Sequence, residues 1–247
     1  MSALYVALIS FACVFSGALL GLFLRSRLPQ HHLSKASEDT VKIVAGLMAT
    51  LSALVLGLLI ASAKNSFDSV NNGLKGSLAK VIVIDHLLVE FGPETAALRK
   101  QLKLQTEAQY QGLLSAGSAS LAQPPTLGDF LRGLQALQPQ DDRQRALVER
   151  IQSLSGEIRQ AHWLVLEQSD DSVPAVFLVV IVCWLTMMFV SFGLFSPSNP
   201  ITLSALFIAA LSVATAILLM EEMYRPLDGL ISIPYAPLRE AMALLGR

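Results

Sequence analysis

Few residues in this 247-residue chain have both the type and the spacing to do chemistry. The four histidines are His31, His32, His86 and His162. His31 and His32 form an adjacent pair in a short loop, where such a pair is usually solvated. Asp85 and His86 fall on a helical pattern, where sequence neighbours point about 100° apart and make a poor dyad. Cys13 and Cys183 each sit inside an apolar stretch and have no metal-ligand spacing, so both are expected to be buried thiols. There is no glycine-rich phosphate loop, nucleophile elbow or His/Glu zinc motif. The chain therefore reads as a non-enzyme: no catalytic residue, cofactor or metal is expected. A net charge of −1 without a dense basic cluster gives no sign of nucleic acid.

One constellation does stand out. At about 100° per residue, Gly46, Thr50, Ala53, Gly57 and Ile60 fall within about 40° of one line. The same line continues through Lys64, Asp68, Asn71 and Lys75. A stripe of small and hydroxyl-bearing residues thus turns into a charged one. It could be a face for close helix packing, because small residues let backbones approach in lipid. It could equally be a water-facing wall, with Lys64 and Asp68 as charges at its mouth. Gly17 and Gly21 repeat the four-residue spacing of small residues and read as ordinary packing.

The elements that must position this stripe follow from where the charges are missing. Leu4–Leu24, Ile43–Ala63, Pro174–Phe195 and Ile201–Met220 contain no Asp, Glu, Lys or Arg, although 15% of the whole chain is charged. Each window is about the length a helix needs to cross a hydrocarbon core of roughly 30 Å. A water-soluble globular enzyme is excluded, and the chain reads as an all-α, four-span integral membrane protein. No basic residue precedes the first window, while Arg25 and Arg27 follow it, so it reads as a retained span rather than a signal peptide. No ionisable residue lies within a span, which argues against a proton-coupled pump or a voltage sensor. A passive pore does not need one.

The predicted organisation is a transmembrane hairpin over 1–63, with spans 4–24 and 43–63, and then a polar helical insert over 64–173. A second hairpin follows over 174–220, with spans 174–195 and 201–220, and a tail over 221–247. The turn Ser196-Pro197-Ser198-Asn199-Pro200 makes the last two spans antiparallel neighbours. In the insert, apolar residues at three- and four-residue spacing continue span 2 as one long helix that stops at Gly92-Pro93. A second helix is predicted from about Glu94 to Ala116, a loop over 117–125, and a short helix capped by Thr126. The last insert helix covers about 141–168. Its seam of Leu147, Ile151, Leu154, Ile158, Ala161 and Val165 fits packing inside the insert better than a partner's helix. Glu221, Glu222 and Arg225 at the end of span 4 read as an interfacial anchor.

Two stretches resemble the bestrophin-like family of bacterial membrane proteins. One is span 2 and its continuation, from Gly46-Leu47-Met48 through Asn65-Ser66-Phe67-Asp68 to Leu98-Arg99. The other is Arg225-Pro226-Leu227-Asp228-Gly229, with Ile231-Ser232-Ile233 and Pro237-Leu238. The resemblance implies a homo-oligomer, a pentamer in bestrophins proper. It also implies an ion pore lined by span 2, four spans, cytosolic termini and a helical cytosolic part between spans 2 and 3. Bestrophins carry an acidic calcium clasp after span 4. Glu221-Glu222 is too short a cluster to carry that over, so no calcium site is expected.

The partners so expected are the lipid bilayer, further copies of the chain and inorganic ions. The place expected is the bacterial inner membrane. Basic residues alone barely decide the orientation. Arg25, Arg27, Lys35 and Lys42 in the first loop are balanced by Lys64, Lys75, Lys80, Arg225 and Arg239 on the other side. The resemblance puts insert and termini in the cytoplasm. The competing reading is a non-conducting membrane scaffold or sensor whose insert binds a protein partner.

Overall fold

The computed structural model describes residues 3–27, 35–116, 127–170, 175–227, 229 and 245. His31, His32, the 117–125 loop, Thr126 and the family-like residues at 228, 231–233 and 237–238 lie outside them. Every regular element among the described residues is helical: α1 (Ala3–Arg27), α2 (Lys35–Phe91), α3 (Ala96–Ala116), α4 (Leu127–Gln135), α5 (Asp142–Asp170), α6 (Ala175–Phe195) and α7 (Pro200–Met223). Four of these, α1, α2, α6 and α7, are long and apolar enough to cross a membrane. The chain is an all-α protein with four membrane-length helices, as its charge-free windows require.

Two compact units result. The first takes residues 1–65 and 172–224, and the second takes 66–171 and 225–247. In the first, α1 packs on α6 and α7 around Val14, Ala18, Ile181, Leu185, Phe189, Leu206 and Ala210. The closest approach is between α1 and α6. A Cβ built on Gly21 would stand 2.2 Å from the Val190 carbonyl oxygen, and one built on Gly193 would stand 2.2 Å from that of Ala18. Only hydrogen fits at those two positions, so the glycines bring the backbones together and gain dispersion contacts along the crossing. The α6–α7 turn ends with Asn199, whose Oδ1 accepts from the Thr202 amide at 2.8 Å, and Pro200 opens α7 without needing a donor. Cys13 and Cys183 are exposed on the outer faces of α1 and α6, not buried as expected. The sides of these spans that meet neighbours are occupied by Val14, Ala18, Ile181 and Leu185 instead.

In the second unit, α2 runs without interruption past Gly73 and Gly76 and stops at Phe91. Gly92 adopts a φ of 144°, which an L side chain would resist, and Pro93 begins a one-turn 3₁₀ segment. The Thr95 hydroxyl reaches the Leu88 carbonyl at 2.5 Å and that of Gly92 at 2.7 Å, closing the end of the helix. From there α3 packs alongside α2. Asp85 stands seven residues before Gly92 and Arg99 seven after it, so two helical turns on either side bring them face to face. Arg99 Nε donates to Asp85 Oδ1 at 2.8 Å and Nη2 to Oδ2 at 2.9 Å. The side chains of α2, α3, α4 and α5 close around Ile84, Leu88, Leu102, Phe130, Leu134, Ile151 and Leu154. The α5 seam points inward at Ile151, Leu154, Ile158 and Val165, so it serves packing within the unit. Lys80–Glu157 at 3.0 Å and Arg143–Glu90 at 2.6 Å tie α5 to α2 at the surface, where such pairs contribute little.

Candidate functional site

The stripe singled out in the sequence lies on α2 within the first unit as far as Lys64, and its surroundings are unlike those of the other small-residue positions. Gly46, Thr50, Ala53 and Gly57 are exposed, and Ile60 is half-buried. A Cβ built on Gly46 or Gly57 meets nothing within 4 Å. The glycines therefore bring no other helix of the protomer close, in contrast to Gly21 and Gly193. Thr50 Oγ1 donates its hydrogen to the Gly46 carbonyl at 3.0 Å, which leaves the oxygen lone pairs on the exposed side.

The side of α2 that does pack is about 110° away around the helix. There Ala45, Ser52 and Ala63 are buried, with Ala49, Val55 and Leu59 partly so. Val55, opposite the stripe, is thus part of the core and a poor position for a neutral substitution. On the other flank Leu47, Leu51, Leu54 and Leu58 form an exposed ridge, with Leu54 and Leu58 both 71% exposed. Going round α2 there is a packed face, a bare small-residue stripe and a bare leucine ridge. The ridge was not recognised from the sequence. Its spacing of four, three and four residues was a readable signal, hidden because the whole window is apolar.

Lys64 is exposed on α2 just past the apolar window, and Asp68, one turn further along the same helix, is half-buried. Glu221 and Glu222, which the sequence places at an exposed interface, are buried at the end of α7, with 9% and 7% of their surface exposed. Tyr224 beside them donates from its hydroxyl to Ser62 Oγ at 3.3 Å, tying the end of α7 to α2. Arg225, in the second unit, is half-buried.

A poor Asp85–His86 dyad in the sequence gives no hint of the polar lock that Asp85, buried, makes with Arg99 in the second unit. Only His86 is exposed, its Nδ1 bonded to the Ile82 carbonyl oxygen at 2.8 Å. The equal spacing of Asp85 and Arg99 about Gly92-Pro93 was the signal that could have found the pair. The Arg99 guanidinium is held above its ordinary pKa, chiefly by its hydrogen bond to Asp85 and further by that group's charge, with burial opposing. Its charge is thus secure throughout the neutral range. Among the described residues, no group of three or more His, Cys, Asp or Glu side chains is placed to hold a metal ion.

No curated protein and no solved structure matches the chain. A family model does. The bestrophin-like domain covers residues 12–238, taking in α1 from residue 12, the other three membrane-length helices and the insert between the second and third. With nearly its whole length matched, this chain belongs to the bestrophin-like family.

Proposed function

We propose that the chain forms a passive ion channel as a homo-oligomer, with the small-residue stripe of α2 lining the pore. The single observation that carries this reading is the bare stripe itself. Gly46, Thr50, Ala53 and Gly57 are exposed along a membrane-length helix, and the same line leads to the charge of Lys64. Membership of the bestrophin-like family supports it. One protomer offers only a wall, so several copies must bring their α2 helices around a common axis. Small side chains leave room for a hydrated path, and residues such as Ile60 can narrow and dry it. At the wider end Lys64 becomes a ring of positive charge, opposed one turn further out by Asp68. In this reading the protein lies in the bacterial inner membrane, with its termini and insert in the cytoplasm.

The test is reconstitution of the purified protein into planar bilayers, with the subunit number measured in nanodiscs. Several copies per disc and an ionic current are expected. Thr50→Leu should lower conductance several-fold by narrowing and drying the path. Ile208→Leu, on an exposed position of α7, should leave it unchanged. A protein that stays monomeric in nanodiscs, or an oligomer that passes no current, would overturn the reading.

A further inference from the structure

The end of the first unit that carries the α6–α7 turn has a cleft that plays no part in conduction. It is lined by Val41, Lys42 and Ala45 of α2 and by Ser191, Phe192, Phe195 and Ser196 of α6 and the turn, and its volume is about 140 Å³. Two of the lining residues are anchored in the core. Ala45 is 3% exposed, and Phe192 meets the buried Phe189 edge-on, with ring centroids 6.2 Å apart.

The position along the chain sets the surroundings. Lys42 is the last charge before the window Ile43–Ala63, and Phe195 closes the window Pro174–Phe195. The cleft therefore straddles the level where hydrocarbon gives way to headgroups. Its lining is divided in the same way: Val41, Ala45, Phe192 and Phe195 are apolar, whereas Lys42, Ser191 and Ser196 are polar. An occupant must be amphipathic and must belong to the boundary itself.

Charge narrows the choice. Among the described residues of the lining, Lys42 carries the charge. Its ammonium has three donors, so an existing contact leaves others to offer. Ser191 Oγ donates to the Met187 carbonyl at 3.0 Å and so adds no hydrogen for an anion. The exposed Asp39 stands one turn before Lys42, further from the apolar window. The last turn of α6 also ends at the cleft, and a helix C-terminus carries about half a negative charge. The order is thus positive beside the apolar window and negative beyond it. A zwitterionic headgroup has the complementary order, with its phosphate next to the acyl chains and its ammonium beyond. We propose that this cleft binds a phospholipid with an ethanolamine headgroup. The phosphate accepts from Lys42, the ammonium donates toward Asp39 and the end of α6, and the acyl chains leave along the apolar lining into the bilayer. The volume agrees, since a closed apolar cavity of roughly 150 Å³ encloses the six heavy atoms of benzene and a phosphate has five. A choline headgroup has no hydrogen to donate and forfeits the second contact. This inference depends neither on conduction nor on subunit number.

The experiment places the full chain in nanodiscs containing equal amounts of ethanolamine, choline and glycerol phospholipids with the same acyl chains. The protein is then released into mild detergent, and the lipids it keeps are counted by native mass spectrometry. Ethanolamine lipid should be kept several-fold in excess of the other two. Lys42→Gln, at an exposed position that should not disturb folding, should remove the excess. Arg27→Gln removes an exposed cation at the same end of the unit, outside the cleft, and should leave the excess unchanged. Inorganic phosphate should not displace the lipid, because it has no chains to fill the apolar lining. Equal retention of the three lipids, an excess of the anionic glycerol lipid, an excess that survives Lys42→Gln, an equal loss in Arg27→Gln, or displacement by inorganic phosphate would each overturn the proposal.

Discussion

Gly21 on α1 and Gly57 on α2 look alike in sequence. Each lies in a charge-free window, and each has a small partner four residues earlier, Gly17 and Ala53. Their surroundings are opposite. A methyl added at Gly21 would meet the Val190 carbonyl oxygen at 2.2 Å, whereas at Gly57 it would meet nothing within 4 Å. Spacing by itself therefore does not separate a helix-packing motif from a bare wall. The continuation of the stripe separates them better. The α2 line runs on for several turns through Lys64, Asp68, Asn71 and Lys75, while the α1 line carries the single charge of Arg25 before the helix ends at Arg27. A contact made wholly within the protomer's apolar unit gives no reason for charge to follow it; a water-facing line does.

The largest expected effect tests the packed member of the pair. Gly21→Leu would drive a side chain into the backbone of α6, where the clash falls on main-chain atoms that cannot rotate away. The cost should exceed about 3 kcal/mol, beyond the usual overpacking range. In practice, yield and monodispersity after solubilisation should collapse. Gly57→Leu should leave both near the parent value. Equal tolerance at the two positions would erase the distinction.

A second contrast lies along α2 itself, which is bare at Leu54 and Leu58 but packed from Val70 to Leu88. The packed half depends on Asp85 and Arg99, whose side chains are 6% and 22% exposed. Arg99→Met would leave a buried carboxylate without its bidentate partner and should cost about 3–5 kcal/mol of stability in the insert. The sign of the pH dependence follows. The wild-type arginine has its pKa raised in the folded state, so its contribution is complete at neutral pH and fades only in strong alkali. In Arg99→Met, desolvation raises the Asp85 pKa above its unfolded value. The folded state then binds the extra proton, and part of the loss should be recovered as pH falls from 8 to about 5. Thermal unfolding across that range measures it, and a flat profile would mean that Asp85 finds another partner.

The fold was largely legible, and the reasons are physical. A bilayer demands about twenty apolar residues per span, so four charge-free windows announce four helices before any packing is known. Likewise Gly92-Pro93 marks the stop of α2, because a positive φ followed by a missing amide hydrogen cannot continue a helix. Legibility failed where the answer depended on which face a neighbour covers. The apolar pattern is nearly uniform around α2 within its window, so the leucine ridge and the core role of Val55 could not be told apart. Glu221 and Glu222 read as surface because carboxylates usually are, and their burial is a tertiary outcome. Asp85 and Arg99 are distant in sequence and become neighbours only once the hairpin closes.

A smaller effect concerns the charge at the end of the stripe. In the proposed channel, Lys64→Glu would exchange a positive ring for a negative one, and with Asp68 retained the mouth would become acidic throughout. In a tenfold salt gradient the reversal potential should move toward that of cations by some tens of millivolts. A conducting channel whose reversal potential stays put would place Lys64 away from the ion path and return the stripe to a packing role between copies.

The smallest expected effect is also the sharpest, because it distinguishes two kinds of emptiness. Among the described residues, nothing stands within 4 Å of a methyl built on Gly57. In the proposed assembly it would face either water or the α2 helix of another copy. Gly57→Ala adds one methyl group and removes the flexibility of glycine from a helix interior. With water there, the substitution should raise thermal stability by up to about 1 kcal/mol, leave the subunit number unchanged and trim conductance only slightly. With another backbone pressed against Gly57, the same methyl would repeat on a small scale the clash found at Gly21. The oligomer would then dissociate at lower detergent concentration, although the isolated protomer stayed folded. Gly46→Ala, about three turns away on the same line, should follow whichever pattern Gly57 shows, because a straight helix in a symmetric ring offers one surface along its whole length. If one position stabilised and the other dissociated the assembly, the α2 helices would cross at an angle, open at one end and touching at the other. Mass measurement of both variants in nanodiscs, alongside single-channel conductance, separates the three outcomes.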